Sequence, residues 1–134
     1  MKTITIKLDS ETKTLAKTLL LTEGQLVVKL GEMRAHDCFL ELGYRGVFEY
    51  CEGELKFSRA QSYYFKSVVE KAETVPELRE AIVQGEITFS QARRIAPVIT
   101  PENKSEWIEK AIRLPQMGHH RMKHQVPKAL FELP

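Results

Sequence analysis

The first residues of the chain alternate between polar and apolar types. The segment TITIKL, residues 3–8, places isoleucine and leucine at every second position, between threonine and lysine. A period of two is typical of a β-strand, so we predict a short strand over residues 3–8. Because no second convincing strand follows, its backbone groups need a partner from another subunit. We therefore expect a homodimer in which two N-terminal strands pair antiparallel about a two-fold axis.

After this segment the apolar residues recur every three or four positions, which indicates helices. Asp9 or Ser10 is suited to cap a first helix. Thr22 and Gln25 resemble a capping box for a second helix, which would end near Gly43. The sequence thus predicts two helices here, with a break before Thr22.

The later helices have recognisable starting residues. A short helix over residues 47–55 leads through a tight turn to a helix capped by Ser58. Pro76 suits the first turn of the helix PELREAIVQG. Ser90 is placed to cap QARRIA, and Thr100 followed by proline is placed to begin the last helix.

These elements predict an all-α, multi-helical array. Its helical domain spans residues 1–114 and includes the strand 3–8, a helix-turn-helix-like unit over 47–72 and a second helical unit over 76–113. Residues 115–134 form a basic tail that we expect to be partly irregular.

The composition places this array among globular proteins. Hydrophobic residues make up 43% and charged residues 28% of the 134 positions, which is ordinary for a folded domain. No apolar run is long enough for a membrane span, and the first residues lack a signal-peptide core, so we expect a cytoplasmic protein without a membrane partner. Cys38 and Cys51 fit no zinc spacing, and we expect buried free thiols.

The charge distribution is more informative than the net charge of +2. Residues 55–69, 87–101 and 110–131 contain basic residues and no acidic residue. Such segments can form local basic surfaces on a nearly neutral protein. They can equally be the solvated faces of ordinary helices, and the sequence leaves both interpretations open.

The segment LKFSRAQSYYFK, residues 55–66, favours a DNA contact. On a helical wheel, Arg59, Ser62, Tyr63 and Lys66 fall opposite an apolar side that includes Phe65. In a helix-turn-helix, the N-terminal half of the second helix contacts base edges in double-stranded DNA. The predicted DNA-binding residues are Lys56, Ser58, Arg59, Ser62, Tyr63, Lys66, Arg93, Arg94, Arg121 and Lys123.

The tail segment GHHRMKH raises the question of a metal site. His120 and His124 are spaced so that one helical face could carry both imidazoles. Because no carboxylate lies nearby in the sequence, we predict no metal site and interpret the tail as a basic, phosphate-attracting segment. We find no pattern that demands catalysis or a cofactor.

Two segments together resemble a known family. LGYRGVFEYCEGELKFSRAQSYYFK and GEITFSQARRIAPVITPENKSEWIEKA are similar to the helical N-terminal region of many bacterial HNH endonuclease-domain proteins, over about residues 33–113. In that family the helical region precedes a nuclease module with paired CxxC knuckles and a metal-binding histidine–asparagine–histidine core. Here the two cysteines are unpaired and Asn103 is the sole asparagine, so the resemblance implies the helical region without a nuclease.

We therefore expect a non-catalytic DNA-binding protein of the regulator or nucleoid-associated type. One alternative is a helical protein–protein interaction or dimerisation module whose polar faces are only solvated. Another is an accessory fragment of an HNH endonuclease. A metal-dependent nuclease that uses the tail histidines is a further hypothesis.

Overall fold

The computed structural model describes residues 1–114, which form seven α-helices and confirm the all-α prediction. These helices are α1 (Thr3–Ala35), α2 (Cys38–Glu41), α3 (Val47–Gly53), α4 (Arg59–Thr74), α5 (Pro76–Val83), α6 (Phe89–Ile95) and α7 (Lys104–Ile112). None of them is both long and apolar enough to cross a membrane.

Residues 3–8 are helical, so the predicted N-terminal strand is wrong. The amides of Thr5 and Ile6 both donate to the carbonyl oxygen of Lys2 and open the hydrogen-bond ladder of α1. A helix satisfies its backbone groups within the segment and needs no partner strand. A homodimer held by paired N-terminal strands therefore loses its structural basis.

Helix α1 continues without interruption through the predicted break before Thr22. The Thr22 hydroxyl does not cap a new helix; it donates to the carbonyl oxygen of Thr18, at 2.8 Å. A Cβ atom at Gly24 would lie 3.1 Å from the Cγ2 atom of Ile82 in α5. This glycine therefore permits a close approach between two helices and does not end either of them.

Local capping determines where the central helices begin. Ser58 caps α4 as predicted, and its Oγ atom accepts the amide N–H of Gln61 at 3.1 Å. Helix α6 is capped by Thr88 and not by Ser90, because Thr88 and Gln91 form a complete capping box. The predicted start of α6 was therefore two residues late.

The last described helix also begins later than predicted. Thr100 and Asn103 hold a reciprocal pair: the Thr100 amide donates to Oδ1 of Asn103 at 2.6 Å, and the Asn103 amide donates to Oγ1 of Thr100 at 3.3 Å. This pair closes a turn, and α7 begins only after it, at Lys104. Pro76 does start α5 as the sequence predicts.

Helix α4 lies at the centre of the core and packs against α1, α3, α5 and α6. The ring of Phe65 stacks on Phe89 of α6 with a centroid separation of 4.2 Å. Trp107 is fully buried and anchors α7. We call residues 20–35 of α1 together with α2 to α7 the helical body.

The N-terminal half of α1 extends away from the helical body. Every residue from Thr3 to Leu19 is exposed, whereas Val27 and Leu30 further along the helix are buried. At 1.5 Å per residue, this projecting half is about 25 Å long.

The two cysteines are free thiols. Cys38 is half-buried, whereas Cys51 is buried in α3, and this burial raises the pKa of its thiol to about 11. Because only the thiolate reacts readily, Cys51 combines poor access with a low thiolate fraction at neutral pH.

We predict that Val68→Ala will destabilise the protein by roughly 2 kcal/mol, because two buried methyl groups are lost and a cavity remains. Val83→Ala makes the same chemical change at an exposed position in α5 and should change stability by less than about 0.5 kcal/mol. Urea denaturation of both variants measures the difference. Equal effects would mean that Val68 does not lie in the core.

We also predict that a thiol reagent at pH 8 will label Cys38 and leave Cys51 unmodified in the native protein. Both thiols should react after denaturation, because the pKa of Cys51 then returns to its ordinary value near 8.5. Peptide mass spectrometry identifies the labelled residue. Rapid native labelling of Cys51 would contradict its burial.

Candidate nucleic-acid interface

The exposed side of α4 forms a surface that we call the α4 face, defined by Lys56, Arg59, Tyr63 and Lys66. The Arg59 side chain is 82% exposed and Tyr63 is 57% exposed. The guanidinium group of Arg59 lies 5.5 Å from the ring centroid of Phe48 in α3. The α4 face is therefore open to solvent in the described part of the chain.

Lys56 occupies the turn between α3 and α4. Its φ angle of 61° lies in the left-handed region, which non-glycine residues adopt at some cost. The next residue, Phe57, donates its amide to the carbonyl oxygen of Cys51 at 3.0 Å and so ties the turn to α3. The turn thus places an exposed lysine just before the start of α4.

Ser62 does not belong to the α4 face, and its predicted placement there is wrong. The residue is fully buried, and its Oγ atom has no hydrogen-bond partner among the described residues. Phe65 and Val69 lie at the centre of the buried side of α4. Ser62 precedes them by three and seven positions, which places it on the same side of the helix. Ala60, which precedes Ser62 by two positions, is exposed.

Acidic residues partly compensate the cations of the α4 face. Arg59 lies 3.9 Å from a carboxylate oxygen of Glu52 in α3, and Lys66 lies 3.9 Å from Glu70 one turn later. Glu70 also accepts a hydrogen bond from Arg34 of α1, at 3.5 Å. These pairs are solvent-exposed, so each contributes little energy and can rearrange.

Helix α6 adds Arg93 to the α4 face through two tyrosines. The guanidinium carbon of Arg93 lies 3.8 Å from the ring centroid of Tyr64, and the Tyr63 ring lies edge-on to Tyr64 at 6.1 Å. Arg93, Tyr64 and Tyr63 therefore form one continuous row of contacts. Tyr64, which is not among the predicted DNA-binding residues, is half-buried and links the other two.

Arg94 is less available than its neighbour. Its Nη1 atom is buried without a hydrogen-bond partner among the described residues. Burial lowers the pKa of this guanidinium, and the adjacent charge of Arg93 lowers it further. An arginine stays protonated even when its pKa is lowered. Arg94 therefore adds positive charge to this region but offers few exposed hydrogen-bond donors.

One acidic residue of α1 moderates the positive charge of α6. Burial raises the pKa of Glu23, while the positive charge of Arg93 acts in the opposite direction. The net shift of the Glu23 pKa is upward, so desolvation outweighs the attraction.

Lys71, which is not among the predicted DNA-binding residues, lies beside the α4 face. Its Nζ atom donates to the carbonyl oxygen of Ile99 at 3.2 Å, and a shallow depression there is shared with Tyr63 and Lys66. The spacing of Tyr63, Ser67 and Lys71 at four-residue intervals could have revealed it. Two predicted DNA contacts, Arg121 and Lys123, lie outside the described residues.

The part of the chain that the structure describes shows no cluster of metal-binding side chains. Within residues 1–114, no three histidine, cysteine, aspartate or glutamate side chains are grouped closely enough to hold a metal ion.

Comparison of the chain with protein-family models, curated proteins and solved structures finds no match. The similarity to the helical region of HNH endonuclease-domain proteins stays a prediction, and the candidate site is defined by its own geometry.

We predict that Ser62→Ala will stabilise the protein more than Ser67→Ala. Both changes improve helix propensity equally within α4. Only the first removes a buried hydroxyl that lacks a partner, which should add roughly 1 kcal/mol. Chemical denaturation of the two variants isolates this difference; a loss of stability in Ser62→Ala would show that its hydroxyl is satisfied in solution.

Proposed function

We propose that this chain is a non-catalytic DNA-binding protein of the regulator or nucleoid-associated type. The observation that carries the proposal is the open α4 face, where Arg59 and Lys66 flank the exposed Tyr63. Helices α3 and α4 are joined by residues 54–58 and pack on one another. This arrangement resembles in outline a helix-turn-helix unit, with α4 as the helix that enters the major groove.

The dimensions of the α4 face suit a DNA groove. Arg59 and Lys66 are seven residues apart, which corresponds to about 10 Å along the helix. Both side chains project from the same side of α4, so a helix lying in the major groove can place Arg59 at a base edge or phosphate and Lys66 at a phosphate further along. Ser58 caps the helix, leaving the remaining amides of the first turn oriented towards an approaching phosphate.

The exposed ion pairs do not prevent such binding. Glu52 and Glu70 lie at 3.9 Å from their cations, at the limit of an ion pair. A phosphate can replace either carboxylate as partner, because exposed pairs contribute only about 0.2–1 kcal/mol. Arg93 keeps its guanidinium plane on Tyr64, while the edge of a stacked guanidinium remains free to donate hydrogen bonds.

We expect Lys66→Ala to weaken binding about equally on all DNA sequences and to flatten the salt dependence by roughly one unit if Lys66 contacts one phosphate. Arg59→Ala should cost about 1–3 kcal/mol and relax the preference at one base pair if Arg59 contacts a base. Fluorescence anisotropy with duplex DNA over a salt series measures both effects.

The matched control is Lys29→Ala, which removes one positive charge from an exposed pair with Glu32 in α1. It should leave DNA affinity within about twofold, because phosphate contacts act only at short range. An equal loss in all three variants would indicate nonspecific attraction by net charge. Unchanged affinity in Arg59→Ala and Lys66→Ala would refute the role of the α4 face.

A second candidate function is a helical interaction or dimerisation module. The observation in its favour is the projecting half of α1, where aliphatic side chains such as Leu8 and Leu15 are exposed. Exposed apolar rows of this kind mark contact sites for other protein surfaces. A protein that binds no duplex DNA at low salt but self-associates through α1 would favour this function over the first.

A further inference from the structure

Four aliphatic residues form one row along the projecting half of α1. Ile4, Leu8, Leu15 and Leu19 are each between 53% and 71% exposed. At 100° per residue they fall within an arc of about 60°. Within residues 1–114, none of the four belongs to the hydrophobic core or packs against it, and we call this row the α1 row.

The spacing of the α1 row is symmetric about its midpoint. The intervals between its members are four, seven and four residues, with the midpoint between Glu11 and Thr12. In an antiparallel pair with two-fold symmetry, the numbers of two facing residues always add up to the same value. With the axis at this midpoint, Ile4 faces Leu19 of a second copy and Leu8 faces Leu15.

We propose that the α1 row binds the same row of a second copy of this chain as an antiparallel helix pair. A parallel pair would bring the two helical bodies side by side at Leu20, whereas an antiparallel pair places them at opposite ends of the paired segment. The inference rests on α1 alone and does not depend on DNA binding.

The helical body leaves room for this partner helix. In the proposed register, Thr3 of the second copy lies beside Leu20. Leu20 is the residue at which α1 becomes half-buried and enters the helical body. The partner helix thus ends where the body begins, and the length of the projecting half matches the length that pairs.

One edge of the α1 row carries charges of both signs in this arrangement. Lys7 and Glu11 lie on the same edge, one helical turn apart. The two-fold axis brings the two Glu11 carboxylates near each other and places a lysine on either side of them. The lysines offset part of the repulsion between the carboxylates, so the aliphatic α1 row, and not this edge, carries the pairing.

The threonines beside the α1 row lose no hydrogen bond when they are covered. The Thr18 hydroxyl donates to the carbonyl oxygen of Thr14 at 3.0 Å, and Thr22 donates to Thr18 at 2.8 Å. A hydroxyl bonded within its own helix can be buried without the usual desolvation cost. Only the methyl groups of these residues then remain to pack.

The proposed contact is short. Each copy contributes four aliphatic side chains over about 25 Å of helix, which is a small contact beside the roughly 1,200–2,000 Å² of stable specific interfaces. The proposed dimer is therefore expected to dissociate on dilution.

The test compares Leu8→Lys with Ile6→Lys in the full chain. Leu8 and Ile6 are 53% and 57% exposed, but Ile6 lies on the opposite side of α1 from the α1 row. Leu8→Lys should raise the dimer dissociation constant roughly hundredfold, because each interface receives two lysines and each costs about tenfold. Ile6→Lys should leave the constant unchanged, as measured by light scattering and sedimentation equilibrium.

Cysteine cross-linking tests the orientation in a Cys38→Ser background. Chains with Ile4→Cys mixed with chains carrying Leu19→Cys should form a mixed disulfide, since these positions face each other. Leu19→Cys chains alone should not cross-link, because the two copies of position 19 lie about 22 Å apart in the antiparallel pair.

Three results would overturn the proposal. One is a wild-type chain that stays monomeric at high concentration, which would leave the α1 row to another occupant. Another is a dimer that Leu8→Lys and Ile6→Lys weaken equally. The third is efficient cross-linking between two copies of position 4, which would indicate a parallel pair. Circular dichroism of each variant excludes unfolding as the cause.

Discussion

Helix α4 packs against its neighbours on one side only. The burial of this side positions the other helices of the helical body. Its apolar side contacts α1, α3, α5 and α6, so four helices depend on the same strip of side chains. The stack of Phe65 on Phe89 joins the strip to α6 and, through it, to α7. Because the buried side is fixed by these contacts, Arg59 and Lys66 must face solvent.

The same constraint explains how far the sequence could predict the site. The start of α4 was predictable because an N-cap is local, and Ser58 needs only the amide of Gln61. The rotation of α4 was not predictable, since neighbouring helices set the centre of its buried arc. A shift of about 50° moved Ser62 from the exposed side into the core.

The errors in α1 have a related physical cause. Six alternating residues at 3–8 suggested a strand, but such a short pattern does not outweigh the helical ladder that continues into it. Thr22 and Gln25 suggested the start of a second helix, yet α1 continues through them, and Gly24 between them serves the contact with Ile82. Both features depend on what lies next to the segment, which the local sequence does not specify.

The two proposed surfaces occupy different parts of the molecule and can act together. In the antiparallel pair, the segments of α1 within the two helical bodies have their centres about 50 Å apart, at opposite ends of the paired helices. Half-sites on one DNA duplex recur at about 34 Å or its multiples. The α4 faces belong to these two bodies, so one dimer presents two separate α4 faces to DNA.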